Sequence, residues 1–160
     1  EVQVRKDLGA VCGAGRPRVG YDRAELTASL EDCLGGRPAA AVIVGAGKLG
    51  RALLDYAGFS EYGTNILAAF DLHLPAGGDR SEQKPIYPMS MLADFCAANN
   101  VSIGIVTVPK EAAQAVTDVL YRSGVRAFWC FAPCRLQLPP DAVIQYENLA
   151  LSLAHLKARL

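Results

Sequence analysis

The chain has 160 residues, of which 51% are apolar, and its 16 Lys and Arg balance 16 Asp and Glu. This length and apolar content suit one compact domain with a buried core and leave room for part of a second domain. A neutral total charge does not exclude nucleic acid, but no apolar run approaches the roughly 20 residues that span a bilayer, and nothing at the start resembles a signal peptide. We therefore expect a cytoplasmic protein without a membrane partner.

The predicted elements alternate between strand and helix from Ala39 onward. The chain begins at Glu1 within EVQVRKDL, which is typical of the middle of a helix, so we expect that further residues precede it in the natural protein. Before this series, a helix is predicted with Asp22 as its cap, Glu25 as in a capping box and Gly35-Gly36 at its end. The predicted strands are 37–45, 65–72, a short one at 84–88, 101–109 and 125–133, and a surface loop lies at 73–83. The predicted helices are 48–56, 90–98 with Ser90 as its cap, and 110–124, and residues 142–160 form a short strand that leads into a terminal helix.

The strands in this series are continuously apolar, as in AVIV and IGIV, and do not alternate between apolar and polar residues. That pattern is typical of a mostly parallel sheet that helices cover on both faces. The sequence therefore predicts an α/β fold, a doubly wound sheet of the Rossmann type.

A glycine motif, G-x-G-x-x-G, lies where the first predicted strand passes into the next helix. The first glycine permits a tight turn, the second lets the backbone approach a pyrophosphate, and the third allows the helix to pack closely on the strand. The predicted cofactor-binding turn comprises Gly45, Ala46, Gly47, Lys48, Leu49 and Gly50. Asp71 ends the next strand and is placed to accept hydrogen bonds from a ribose diol, which favours NAD(H) over NADP(H) because a carboxylate repels a 2′-phosphate. The alternative is a glycine turn that packs a helix and binds nothing.

The ends of the later strands should face the same crevice, because ligands bind outside the carboxyl ends of parallel strands. One strand ends with Thr107, Val108 and Pro109, and another ends with Phe131, Ala132 and Pro133. We expect a hydroxyl near the phosphates from the first group and a flat apolar wall for the nicotinamide from the second.

Few side chains could act as the acid or base that a dehydrogenase needs beside its nicotinamide. His73 follows Asp71 and so lies near the adenosine end, His155 lies in the terminal helix, and Lys110 has no evident partner. The sequence therefore favours a protein that is not an enzyme and has no metal site.

Five scattered cysteines, Cys12, Cys33, Cys96, Cys130 and Cys134, include no C-x-x-C pair. This pattern suits reduced thiols in a protein core. The spacing of Cys130 and Cys134 also permits a redox pair or a metal site, but packing is the favoured interpretation because no further cysteine or histidine follows at ligand spacing.

The terminal helix carries leucines at i, i+4, i+7 and i+11, namely Leu149, Leu153, Leu156 and Leu160. Such a stripe packs either on the chain's own sheet or against a second subunit, and the pattern alone does not decide between them.

Several segments together resemble Rex, a family of bacterial redox-sensing transcriptional repressors. They are VRKDL…GRPRVGYD, VGAGKLGRALLDY, AAFD, TVPKEAAQAVTDVLYRSGV, FAP and ENLALSL, in the family's order and over nearly the whole chain. The resemblance implies a homodimer with an N-terminal winged-helix DNA-binding domain and a Rossmann domain that binds NADH or NAD+. The implied domains are a winged-helix remnant with its wing at 1–21, the NAD(H)-binding domain at 22–145 and a dimerisation helix at 146–160.

The resemblance also implies roles for individual residues. Arg5 and Lys6 would face operator DNA from the tail of the recognition helix, and Arg16 and Arg18 would lie in the wing. The terminal helix would contact the partner subunit through Asn148, Leu149, Leu153, Leu156 and Leu160. The family usually has an acid at the start of this helix, where the chain has Asn148, and an asparagine before FAP, where the chain has Cys130. Two further hypotheses remain, a small NAD-dependent oxidoreductase and a Rossmann module that binds CoA or another nucleotide.

Overall fold

The structure, a computed structural model, describes residues 21–24, 26–29, 38–74, 79–80 and 84–159. The strands are β1 Ala39–Val44, β2 Thr64–Asp71, β3 Asp79–Arg80, β4 Pro85–Pro88, β5 Ile103–Val106, β6 Ala127–Cys130 and β7 Val143–Tyr146. The helices are α1 Lys48–Asp55, α2 Leu92–Ala98, α3 Lys110–Arg122 and α4 Leu149–Lys157, with short 3-10 helices at Ala57–Tyr62 and Met89–Met91. Residues 23–24 and 26–29 are helical as well, and the backbone amide of Ala24 donates to Asp22 Oδ1 at 2.8 Å, which confirms the predicted cap.

The strands form one sheet in the order β3-β4-β2-β1-β5-β6-β7. All neighbouring pairs are parallel except β3 and β4. The chain builds outward from β1 through β2 to β4, then returns to the other side of β1 and builds outward again through β5, β6 and β7. The six parallel strands therefore have the connectivity of a dinucleotide-binding Rossmann sheet, with the reversal of direction between β1 and β5. The predicted doubly wound fold is confirmed.

Two apolar layers cover the two faces of the sheet. Successive side chains of a strand point to opposite faces. Accordingly, Val42 and Val44 of β1 belong to one buried cluster, and Ala41 and Ile43 belong to the other. Helices α2 and α3 pack on the first face, and α1 packs on the second through Leu54. Burial on both faces explains why the strands are continuously apolar.

Two details of the predicted elements are wrong. The loop over 73–83 contains β3, which pairs antiparallel with β4, and no apolar pattern marked so short an edge strand. Ser90 does not cap α2, because the 3-10 helix begins directly after Pro88 and Ser90 lies inside it. The sequence also left the 3-10 helix between α1 and β2 unassigned.

The end of α3 agrees with the sequence. Its last residue is Arg122, and Gly124 follows with φ +99°, a left-handed conformation that glycine adopts without a Cβ penalty. The backbone amide of Val125 then donates to the carbonyl of Leu120, which closes the helix and starts the chain toward β6.

Candidate functional site

The glycine turn lies at the point where the sheet reverses direction. Gly45 has φ +103°, and its amide donates to the carbonyl of Phe70 in β2 at 2.8 Å. A Cβ on Gly45 would come within 2.9 Å of the backbone carbon of Thr107, which follows β5. The turn is therefore held between the ends of the strands on both sides of β1, and only glycine fits there.

The other two glycines of the motif meet opposite surroundings. A Cβ on Gly50 would overlap the carbonyl oxygen of Gly45, so this glycine is required for α1 to pack against the turn. A Cβ on Gly47 would meet no protein atom within 4 Å. Protein packing thus explains Gly50 but not Gly47, and the space beside Gly47 is where a pyrophosphate approaches the backbone in a Rossmann domain.

The first turn of α1 can receive an anion. Gly47 is its N-cap residue and brings no side chain to bond the free amides there, and the first turn contains no acidic residue. Unpaired amides and the helix dipole both favour negative charge at this position. Lys48 begins the helix with an exposed side chain, and Leu49 is half-buried.

Asp71 lies at the end of β2, where its carboxylate is tied to the turn. Oδ2 accepts from the amide of Ala46 at 2.6 Å, and Oδ1 accepts from the amide of His73 at 2.9 Å. Each carboxylate oxygen has a further lone pair, so ribose hydroxyls can still donate to it. The structure places Asp71 beside the motif, as the sequence predicted, and reveals a contact with Ala46 that the sequence did not.

Thr107 has a more structural position than we expected. Its Oγ1 lies 2.7 Å from the carbonyl oxygen of Gly45 and 3.0 Å from that of Val44, so its single hydroxyl proton is engaged with the turn. In this arrangement Thr107 stabilises the turn, and its oxygen remains available only as an acceptor.

Two pockets flank the turn. The first, of about 570 Å³, contains Gly45, Gly47, Asp71 and the predicted strand-end residues Thr107, Val108 and Pro109. The sequence did not indicate its remaining lining residues, which are Val44, Phe70, Leu72, His73, Met89, Ala112 and Val116. Most of these are apolar, as the flat face of an adenine requires.

The second pocket, of about 640 Å³, lies at the other end of the crevice. Leu49, Phe131, Ala132 and Pro133 line it as predicted, together with Asn148 and Leu149 from the start of α4. Cys134, Arg135, Tyr146, Glu147 and Leu151 complete it. These five residues were not indicated by the sequence, because β7 and the turn after β6 become neighbours only when the sheet has formed.

Glu147 is the acidic group of the second pocket. Its Oε1 accepts from the indole Nε1 of Trp129 at 3.1 Å, and its amide donates to the carbonyl of Cys130 at 2.8 Å. Trp129 also packs edge to face on Phe131, with ring centroids 4.6 Å apart. The chain's single tryptophan therefore does not line the pocket itself but contacts two residues that do, Glu147 and Phe131.

Helix α4 has no buried residue, although six of its nine residues are leucine or alanine. Leu149, Leu153 and Leu156 are all more than 60% exposed, and Asn148 caps the helix by accepting from the amide of Leu151 at 2.9 Å. Leu160 and the predicted DNA-facing residues Arg5, Lys6, Arg16 and Arg18 lie outside the described residues. Within a single chain, therefore, the described part of the leucine stripe does not pack on the sheet.

The residues weighed as catalytic groups are not gathered at one place. His73 is exposed at the rim of the first pocket, and His155 is exposed on α4. Lys110 lies at the start of α3, where its Nζ is 3.9 Å from Oε1 of Glu111. Among the residues that the structure describes, no group of three His, Cys, Asp or Glu side chains could hold a metal ion. None of the helices in this part of the chain has the length and apolar character that crossing a membrane requires.

The strand order, the glycine turn and the two flanking pockets together define a nucleotide-binding domain of the Rossmann class. A protein-family model described as "CoA binding domain", which is the C-terminal domain of Rex repressors, matches residues 37–134. The redox-sensing transcriptional repressor Rex of Bacteroides fragilis is 40% identical over 159 residues, which cover 99% of this chain and 72% of that protein. The chain belongs to the Rex family of redox-sensing transcriptional repressors.

Solved structures of RSP, which is described as a Rex-family repressor, agree with this assignment. RSP in complex with β-NAD+ and operator DNA matches with a TM-score of 0.89 and 34% identity, over 98% of this chain and 73% of that one. RSP in complex with β-NADH matches with a TM-score of 0.84 and 32% identity, over 99% and 74%. Because the relatives are repressors and not enzymes, they confirm the prediction that this chain is not an enzyme, and the oxidoreductase hypothesis is set aside.

Proposed function

We propose that this chain binds NADH and NAD+ in the crevice around the Gly45–Gly50 turn and reports which of the two is bound. The observation that carries this proposal is the open space beside Gly47, next to free helix amides and a carboxylate at the end of β2. A nicotinamide dinucleotide supplies a ring whose charge and shape change with its redox state. No bond to the protein has to form or break for that change to be read.

Each part of the crevice suits one part of the dinucleotide. The amides at the start of α1 would bind the pyrophosphate, Asp71 the adenosine ribose, and the apolar 570 Å³ pocket the adenine. The 640 Å³ pocket would receive the nicotinamide against Phe131, Ala132 and Pro133. Glu147, held by Trp129, puts an anionic group in that pocket, where it can distinguish a cationic from a neutral ring.

The exposed leucines of α4 support a homodimer. Each of these four leucines is between 51% and 68% exposed in the single chain, and a second subunit is the partner that would bury them. The same helix begins at the wall of the nicotinamide pocket, since its residues Leu149 and Leu151 line that pocket. A change of cofactor state at the pocket can therefore bias the arrangement of the two subunits, provided that NADH and NAD+ bind the two arrangements with different affinities.

In the whole repressor we propose that this bias controls operator DNA. We propose the same domains for it as the resemblance implies: a winged-helix remnant at 1–21, the NAD(H)-binding domain at 22–145 and a dimerisation helix at 146–160. Arg5, Lys6, Arg16 and Arg18 would contact DNA phosphates or bases. Such a protein acts where the chromosome lies, which places it in the cytoplasm.

Fluorescence titration with NADH and NAD+ tests the proposal. Trp129 is the only tryptophan, and its emission overlaps the absorption of reduced nicotinamide, so NADH in the 640 Å³ pocket should quench it by energy transfer. NAD+, which lacks that absorption band, is followed by its competition with NADH. Failure of the folded protein to bind either form would refute the proposal.

A second candidate ligand is coenzyme A, which the description of the matching family model favours. Competition between CoA and NADH in the same titration separates the two. We expect CoA to compete weakly, because its ribose carries a phosphate and the Asp71 carboxylate would repel it.

A further inference from the structure

Cys130 and Cys134 lie at the two ends of the turn that forms the nicotinamide end of the crevice. Cys130 is the last residue of β6 and is fully buried, and Cys134 is half-buried in the wall of the 640 Å³ pocket. The residues between them, Phe131, Ala132 and Pro133, also line this pocket. A covalent link between the two cysteines would therefore act directly on the wall of the proposed cofactor site.

The turn brings the two cysteines onto one carbonyl group. The amide of Cys134 donates to the carbonyl oxygen of Ala132 at 2.8 Å, and the Cys130 thiol donates to the same oxygen at 3.7 Å. Both thiols are free. Two free cysteines that lie four positions apart in one turn, and that both bond to one carbonyl group, are candidates for a disulfide between them.

The surroundings of the two thiols assign them different parts in such a reaction. Burial raises the pKa of the Cys130 thiol, so it stays protonated and an oxidant in the crevice does not reach it. Cys134 faces the pocket, where small molecules enter. Of the two thiols Cys134 is the accessible one, so it meets an oxidant first.

We propose that Cys130 and Cys134 are a peroxide-sensitive thiol pair, which gives this protein a second redox input beside its cofactor. The Cys134 thiolate attacks hydrogen peroxide, takes one oxygen to become a sulfenic acid, and releases hydroxide. The Cys130 sulfur then attacks the Cys134 sulfur, and the departing hydroxyl combines with the Cys130 proton to leave as water. Overall two thiols lose two hydrogens to one peroxide, which becomes two waters, and two molecules of an added thiol reduce the disulfide back to two thiols and are themselves joined as a disulfide.

The effect on the cofactor follows from the position of the turn, and this part of the inference rests on the proposed function. A Cys130–Cys134 disulfide draws Cys134 from the pocket wall toward β6 and constrains the three residues between. The surface on which the nicotinamide would stack is thereby changed. We expect the dissociation constant for NADH to rise by about tenfold or more on oxidation, and bound NADH to slow the reaction by covering Cys134.

Peptide mass spectrometry tests the thiol pair without any cofactor. Trypsin cleaves after Arg126 and after Arg135, so the peptide 127–135 contains both cysteines and no other. After peroxide treatment of the native protein and alkylation, this peptide should carry no alkyl groups and should be lighter than the reduced peptide by two hydrogens. Two alkylated cysteines in it, or a Cys134 oxidised further beside a free Cys130, would overturn the proposal.

NADH titration before and after peroxide tests the coupling. The wild-type protein and Cys96→Ala should both lose affinity, since Cys96 is buried in α2 and lines neither pocket of the crevice, whereas Cys134→Ser should show the same affinity before and after treatment. A disulfide that forms without changing the NADH affinity would overturn the coupling. If the reduced protein does not bind NADH, the proposed function fails, but the mass of peptide 127–135 still decides whether the thiol pair reacts.

Discussion

The two glycines Gly47 and Gly50 lie three residues apart, yet replacing them by alanine should have opposite consequences. Gly47 has φ −71° and ψ −170°, which alanine adopts without strain, and an added Cβ would meet nothing within 4 Å. We expect Gly47→Ala to change the free energy of unfolding by less than about 0.5 kcal/mol, as substitutions away from packed contacts do. The methyl group would instead occupy the space that a pyrophosphate needs, so the affinity for NADH should fall at least about tenfold, or about 1.4 kcal/mol.

Gly50→Ala is the matched comparison. Its Cβ would overlap the carbonyl oxygen of Gly45 and approach Thr107 Oγ1 to 3.0 Å. Because the turn is backbone and cannot rotate away, α1 has to move off β1, a kind of overpacking that costs about 1–3 kcal/mol. For a protein of this size that lowers the melting temperature by about 2–4 °C for each kcal/mol.

Thermal unfolding and NADH titration of the same two variants decide whether Gly47 is needed for binding and Gly50 for packing. The expected result is a normal melting temperature with weak binding for Gly47→Ala, and a lowered melting temperature for Gly50→Ala. A stable Gly47→Ala protein that binds NADH as tightly as the wild type would refute the reasoning, because the pyrophosphate could then not pass over Gly47. A destabilised Gly47→Ala protein would show that the space beside this residue is not open.

Three further substitutions test the proposed ribose site, the dimer, and the exposed cluster of Tyr121, Arg126 and Asp141. Asp71→Asn should weaken NADH binding by about tenfold and narrow the preference for NADH over NADPH, which titration with both cofactors measures. Leu153→Glu, at a position that is 68% exposed in the single chain, should leave the circular dichroism unchanged and shift sedimentation from dimer to monomer. The hydrogen bond from Tyr121 and the nearby Arg126 guanidinium hold the pKa of Asp141 below its ordinary value of 3.8. The stability that this carboxylate contributes is therefore present at neutral pH and is lost as the pH falls through its folded-state pKa. Asp141→Asn should therefore lower the melting temperature at pH 7, and the difference should vanish in acid.

Each of these tests has a control of the same chemistry. Asp94→Asn removes a carboxylate from the first turn of α2, which lines neither pocket of the crevice, and should leave both cofactor affinities unchanged. Leu72→Glu places the same charge on an exposed leucine outside α4 and should leave the protein dimeric. Tyr121→Phe removes the hydrogen bond to Asp141 and should reproduce part of the Asp141→Asn effect at pH 7. Dissociation caused by Leu72→Glu, or a pH-independent effect of Asp141→Asn, would contradict the corresponding interpretation.

Much of the site could be predicted from the sequence because its signals are local. The glycine spacing, the apolar run before it and the acid at the end of β2 all reflect one β-α-β unit. The strand-end residues after β5 and β6 line the two pockets beside the turn for the same reason, since parallel strands end at one edge of the sheet, and their contact with a cofactor stays a prediction. The two-residue β3 and the 3-10 helix before α2 escaped prediction because short elements take their structure from neighbours and not from their own pattern.

Contacts between distant segments could not be predicted. Glu147 meets Trp129 across 18 positions, and Thr107 meets Gly45 across 62. The Cys130 thiol and the Cys134 amide meet on the Ala132 carbonyl only because of how the turn after β6 folds. The assignment of Arg5, Lys6, Arg16 and Arg18 to DNA stays a prediction.

By itself, the sequence determined the class of this protein: a doubly wound sheet with a glycine-rich turn after its first strand, in the order of motifs found in Rex repressors. It did so because hydrophobic periodicity and glycine positions constrain the backbone over a few residues at a time. Only the tertiary structure decided that Gly47 is open while Gly50 is filled, that Asp71 is tied to Ala46, and that α4 leaves its leucines exposed. Those facts depend on which strands become neighbours, and the free energy of that arrangement comes from burial on both faces of the sheet, which no single segment encodes.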